Sequence, residues 1–154
     1  MNIRIHHFFD IIRDFGSGKT IRPHQSLHAY HKVAEQIRAN PNVELKIVIE
    51  SDAVCTGCVH LDSSNCDDTI SHRLDFDSKE EFNNHLDKRI VDVCGIQLSE
   101  KYSPNLIMKI AHKYIENIEF IYKGNDKEHT LLRKENVIRG LKYYSKKHGF
   151  EIDY

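Results

Sequence analysis

Three cysteines gathered in one short, aperiodic stretch constrain this chain more than any other feature. Cys55-Thr56-Gly57-Cys58 is followed by Cys66, a Cys-x2-Cys-x7-Cys pattern, with Cys94 as a distant fourth member. A two-residue gap lets one turn aim both sulfurs at one point, and Gly57 can take the positive φ that such a turn often needs. Inert cysteines tend to be scattered and buried singly, so three together read as a half-built metal cage. Soft thiolates select zinc, copper(I) or an iron-sulfur cluster over magnesium or calcium, and the spacing alone serves zinc and iron alike. Cys94 closes a predicted helix beside Gly95, where a turn can deliver a fourth sulfur. It also shares an apolar face with Ile90 and Val91, where a plain buried thiol fits equally well. His60, inside the loop, reads as a zinc ligand, a hydrogen-bond donor to a cluster sulfur, or a surface histidine.

Charge and composition exclude several other functions. The chain carries 22 Lys and Arg against 23 Asp and Glu, a formal net charge of −1, so no basic field gathers phosphates and no sequence-independent grip on nucleic acid is expected. Hydrophobic residues make up 40% of the 154, enough for one core. The apolar runs are far shorter than a membrane span. Met1-Asn2-Ile3-Arg4-Ile5-His6-His7 lacks the apolar run and cleavage site of a secretory signal, which points to the cytoplasm. In that reducing compartment cysteines serve as ligands or reactive thiols rather than disulfide partners. The 11 histidines add to the metal reading, histidine being the commonest transition-metal ligand.

Patterning predicts a small, helix-rich α+β domain with a few short strands around a cysteine-bearing metal loop. Ile3 to Ile5 reads as a strand leading into an apolar helical turn through Phe8, Phe9, Ile11 and Ile12, with Phe15 to Thr20 as a loop. Leu27, Tyr30, Val33, Ala34 and Ile37 recur at helical spacing, so a helix is expected from Gln25 or Ser26 to Asn40-Pro41. Val43 to Ile49 alternates and is rich in β-branched residues, as a half-buried strand would be. Ser78 with Glu81 forms a capping box, opening a helix that Gly95 stops. Ser103-Pro104 opens another. A final helix follows Gly124-Asn125-Asp126 and ends near Gly149, its one apolar stripe packing on the domain or on a second copy. The expected division is a metal-binding domain over 1–121 and a helical extension over 122–154.

Several of these segments together resemble a known family. Arg4-Ile5-His6-His7-Phe8-Phe9, Phe15-Gly16-Ser17-Gly18, Ala39-Asn40-Pro41, Asp52 to Leu61 with its Cys55 and Cys58, Cys66, and Cys94-Gly95-Ile96 are similar to the predicted iron-sulfur-binding family called domain of unknown function 1284. The likeness covers about residues 3–115. It implies a cluster, 4Fe-4S in type, and stops short of any activity. In the family a cysteine follows the double histidine after two apolar residues; here that position is Asp10. The resemblance therefore leaves Cys55, Cys58 and Cys66 to be completed by Asp10, a histidine or Cys94. His60 matches the family pattern. His6 and His7 then stand as candidate catalytic acid/base residues, ligands or cluster-tuning donors, against the alternative of satisfied structural histidines.

Other signals carry less. Gly16-Ser17-Gly18-Lys19-Thr20 resembles the end of a phosphate-binding loop, but position 13 is Arg13 rather than glycine and Pro23 follows where a helix should start. His28 and His31 stand at i and i+3 on the predicted helix without the glutamate of a zinc protease, which favours a solvated face. Asp75, Asp77, Glu80 and Glu81 read as a helix-start charge cluster. The expected function is thus a metal-binding protein holding an iron-sulfur cluster, with a redox partner or a small-molecule substrate. A structural zinc module on the same cysteines and a metal-dependent enzyme using a histidine acid/base are the alternatives.

Overall fold

Strand β1 (Asn2–Arg4) runs without a loop into helix α1 (Ile5–Ser17) in the computed structural model, which describes residues 1–152. The last two residues of the expected C-terminal extension lie outside that range. β1 pairs in parallel with β2 (Leu45–Val48), Ile3 opposite Ile47 and Arg4 opposite Val48. A parallel pair needs a long crossover, and α1 with α2 (Tyr30–Ala39) supplies it. On its other side β2 meets β5 (Lys101–Tyr102) in antiparallel register. Between them in sequence lie a 3-10 turn (Ala53–Cys55), the short hairpin of β3 (Leu61–Asp62) and β4 (Asn65–Cys66), and α3 (Lys79–Cys94). Helices α4 (Pro104–Glu116), α5 (Ile118–Ile121) and α6 (Lys127–His148) complete the chain. The small helix-rich α+β class expected from the patterning is the fold observed, and no described helix is long and apolar enough to cross a membrane.

Helix α1 is the centre of the core. Ile5, Phe8, Phe9, Ile11 and Ile12 are fully buried, and the Phe9 ring stacks on Tyr114 of α4 with centroids 3.8 Å apart. Helix α6 lies along α1 at a distance only two glycines permit. A Cβ on Gly16 would stand 1.9 Å from the Asn136 carbonyl oxygen, and one on Gly140 would stand 1.8 Å from that of Ile12. This contact corrects the loop expected over Phe15–Ser17. The helix continues through Gly16 because α6 packs against it there, and Gly18 in the left-handed conformation ends it. Tyr144 also ties α6 to α2, its hydroxyl donating to the Ile37 carbonyl at 2.6 Å.

The capping expectations hold with one change of partner. Ser78 accepts the Glu81 N–H, but the Glu81 carboxylate takes the N–H of Asp77 rather than that of Ser78. Ser103 caps α4 with Pro104 following, and Gly95 and Gly149 close α3 and α6 in the left-handed conformation. The start of α2 differs from its periodicity. The helix begins at Tyr30, and Leu27 is exposed with φ of 60°. Two backbone bonds explain this: Ala29 N–H to the Val54 carbonyl at 2.8 Å and Val59 N–H to the Ser26 carbonyl at 3.0 Å. They hold residues 26–29 against the cysteine loop and out of the helix.

The glycine contact reverses the usual sign of a substitution. Alanine in a helix interior is ordinarily better than glycine by about 1 kcal/mol. Gly140→Ala must instead push α6 off α1, and is expected to lower stability by about 2 kcal/mol, within the range for overpacked cores. Urea unfolding followed by circular dichroism measures this directly; an unchanged or raised midpoint would mean that the two helices part easily.

Candidate metal centre

The site is organised from Arg4. Its side chain is almost fully buried and spends three nitrogens on one stripe of α3: Nε donates to Asp87 Oδ2 at 2.7 Å, Nη1 to Glu80 Oε1 at 3.0 Å and Nη2 to Asn84 Oδ1 at 2.5 Å. The three partners fall at i, i+4 and i+7, which is one face of a helix. Each carboxylate then carries a second contact outward. Glu80 Oε2 accepts the Cys66 N–H at 3.3 Å. Asp87 Oδ1 accepts both the backbone N–H and the Nδ1–H of His6, at 2.9 and 2.8 Å. Arg4 offers no side-chain cap to α1, so Asp87 satisfies an N–H of its first turn and places an anion at the positive end of its dipole.

Asp52 does the same for the cysteine loop. Oδ2 accepts the Arg4 N–H at 2.7 Å and the His7 Nδ1–H at 2.8 Å. Oδ1 accepts the N–H groups of Val54 and Cys55, and the Cys55 Sγ lies 3.4 Å away. One buried carboxylate therefore fixes the strand, one imidazole and the first thiol of the loop. Gly57 takes φ of 77° and the Cys58 N–H bonds the Cys55 carbonyl at 3.0 Å, the turn expected between the paired cysteines.

The two neighbouring histidines, with ring centroids 4.2 Å apart, experience opposite environments. Burial presses the His6 pKa below its ordinary value despite Asp87. For His7 burial acts the same way, but the charge and hydrogen bond of Asp52 outweigh it and the value is raised. Burial works against Asp52 too, yet His7 and the hydrogen bonds hold it at about 2. Asp10, one turn along α1, also lies below the usual carboxylate range because Arg133 and Arg13 both pair with it, more than offsetting its burial.

A cavity of about 330 Å³ opens between α1, the loop before α2, the cysteine loop and the start of α3. Cys55, Cys58, Cys66, His7 and His60 all line it, as do His24 and His28, which the sequence reading either passed over or assigned to a solvated helix face. Their signal lay in the backbone pairing of residues 26–29 with the cysteine loop, which periodicity does not report. His28 precedes α2 rather than lying on it, and its ring stacks on that of His24 at 4.4 Å. His60 pairs with Asp67 at 3.1 Å near the rim. Cys94 is not brought to this cavity: it is 2% exposed within the apolar core, and burial lifts its thiol to about 12. A second cavity of about 280 Å³ adjoins the first, sharing His7 and Asp10 and adding His6, His72, His129 and Arg133. A further cleft of about 250 Å³ beside Tyr122 and Leu131 gathers no cysteine or histidine.

The donors stand around the cavity wall rather than at a point. Among the described residues no three His, Cys, Asp or Glu side chains are close enough to hold one metal ion as placed. Burial raises the Cys55 thiol to about 12 and lifts Cys66 as well, so both are protonated near neutrality and loading a metal would release protons. The sequence pattern of a family described as "Protein of unknown function (DUF1284)" matches residues 24–126. That span holds the cysteine loop, Asp52 and α3 but begins after the double histidine. No curated protein and no solved structure matches the chain.

Asp87→Asn tests the buried charge at the centre of the site. It leaves Arg4 without its closest anion and is expected to lower stability by about 3 kcal/mol, as for other broken buried pairs. The acid limb should change too. Asp87 has a lowered pKa in the folded state, so its contribution is complete above the unfolded value of about 4 and fades as pH falls below it. Denaturant midpoints from pH 7 to pH 3 should therefore fall less steeply in the variant; parallel curves would deny Asp87 that role.

Proposed function

The chain belongs to the DUF1284 family of proteins of unknown function, and from its own donor set we propose that it is a metal-binding protein whose resident group is an iron-sulfur cluster. The observation that carries this reading is the placement of Cys55, Cys58 and Cys66 around one cavity of about 330 Å³. The fit favours a cluster over a single zinc. At about 2.3 Å from each thiolate, a tetrahedral zinc needs sulfurs within about 4 Å of one another. A cluster binds each thiolate through a different iron and takes donors set farther apart; the three thiols line one cavity, and among the described residues no three donors are gathered to hold a single ion. When bound, such a group supplies one-electron transfer or a polarising iron centre for a small ligand.

The surrounding residues support a role beyond holding a loop together. His6 and His7 are each fixed through Nδ1 by a buried carboxylate, their Nε2 atoms having no hydrogen-bond partner among the described residues, and His7 belongs to the walls of both cavities. A cluster site with an adjoining, histidine-lined cavity suits a small substrate or a redox partner's ligand better than a closed structural knot does. Cys94 has no part in this reading, since its sulfur is committed to the core.

Anaerobic purification followed by iron, zinc and acid-labile sulfide analysis tests the reading. Matched iron and sulfide with broad visible absorbance are expected for the wild type, loss of at least tenfold for Cys58→Ser, and full content for Cys94→Ser. One zinc per chain with no sulfide would replace the cluster with a structural module, and undiminished iron in Cys58→Ser would remove the cysteine loop from the site.

A further inference from the structure

Three cysteines leave one position of a four-ligand site to be filled, and the structure discriminates among the donors that line the cavity. Asp10 is neutralised by Arg13 and Arg133, which both donate to its Oδ1, so its charge is already balanced by two cations. His24 Nδ1 accepts the Ser26 N–H at 3.1 Å, which puts the ring proton on Nε2 and leaves no lone pair there for a metal. The Nδ1 of His28 is buried without a partner, and the ring lies flat against that of His24. His60 is fixed by Asp67, but both side chains stand in solvent, 37% and 64% exposed.

His7 differs from all of these. Its Nδ1 faces a carboxylate that can only accept, so in the neutral ring the proton sits on Nδ1 and the lone pair is on Nε2, the nitrogen a metal would take in place of a second proton. Nε2 has no hydrogen-bond partner among the described residues, and the ring lines the same cavity as the thiols. A carboxylate behind the far ring nitrogen is the usual support of a metal-bound histidine, fixing both tautomer and orientation. Here that carboxylate is Asp52, the group that also holds Cys55. We propose that His7 is the fourth ligand, through Nε2, of the group held by Cys55, Cys58 and Cys66, with Asp52 as its positioning residue. The inference rests on the cluster reading and adds an imidazole to an otherwise all-thiolate site. Histidine in place of cysteine raises a cluster's reduction potential, so the ligand change would alter what the protein can exchange electrons with.

The test uses the full chain labelled with nitrogen-15 histidine, reconstituted anaerobically with iron and sulfide, reduced, and examined by pulsed electron paramagnetic resonance. The wild type is expected to show hyperfine coupling to one histidine nitrogen. His7→Ala should lose it, while His28→Ala and His60→Ala keep it. Should His7→Ala fold poorly, His7→Cys supplies a replacement thiolate: it should retain iron and sulfide, lose the nitrogen coupling and show a lower midpoint potential. Asp52→Asn should weaken or broaden the coupling, with recovery in Asp52→Glu. Nitrogen coupling that survives in His7→Cys, or that is absent from a wild type carrying full iron and sulfide, overturns the assignment of His7. A wild type that takes up neither iron nor sulfide overturns the cluster reading itself, and the ligand with it.

Discussion

A guanidinium with almost no access to water is the constraint on which the rest of this structure depends. Arg4 cannot be neutralised by losing its proton, so its burial is tolerable only if anions and acceptors surround it. The stripe of Glu80, Asn84 and Asp87 on α3 meets that demand. Once those groups are held by Arg4, their remaining oxygens are aimed as well. Glu80 reaches the backbone of Cys66, Asp87 reaches His6, and the Arg4 N–H helps to fix Asp52, which reaches His7 and Cys55. The cysteine loop has little regular structure of its own and owes its placement to these bonds and to its backbone pairing with residues 26–29. Its geometry is thus set in large part by the first strand and the third helix, elements that carry none of the clustered cysteines.

That chain of contacts also explains which parts of the fold were legible in sequence. Local devices were: Ser78 and Ser103 as caps, Gly95 and Gly149 as stops, and the alternation of Val43 to Ile49 all operate within a few residues. The long-range ones were not. Arg4 and Asp87 are 83 positions apart, and nothing near either residue shows that the other will bury it. Glu80 read as part of a charged helix start, which is true of its position but misses the buried cation it faces. The helical spacing from Leu27 onward failed for a related reason. Backbone bonds to Val54 and Val59 outweigh the propensity of residues 26–29, and Leu27 is left in a left-handed conformation that a β-carbon disfavours.

The candidate site was legible as a set of residue types and not as a set of positions. Cys55, Cys58 and Cys66 announce themselves by spacing, and the structure puts them around one cavity with His7 and His60. Cys94 has the same chemistry and a suitable helix end, yet its neighbours Ile90 and Ile96 draw it into the core. Asp52 and Asp87 gave no signal as single aspartates, although they decide the tautomers of both histidines. Two adjacent imidazoles with separate buried carboxylates are a division of environment, since one ring is pressed toward its neutral form and the other toward its charged form.

Helix α6 shows why the family match does not mark the limit of the functional unit. The match ends at residue 126, before α6 begins, but Arg133 of α6 pairs with Asp10 and covers the face of Tyr122 at 4.5 Å. Asp10 lies four residues after His6 and three after His7, so it shares their side of α1. Without the Arg133 cation, a third carboxylate would stand beside Asp52 and Asp87 with only Arg13 to balance it. The glycine pair that lets α6 approach α1 so closely therefore has an electrostatic consequence as well as a packing one. It brings a cation to the wall shared by the two cavities, and it leaves the carboxylates behind His6 and His7, rather than Asp10, as the groups that orient the site.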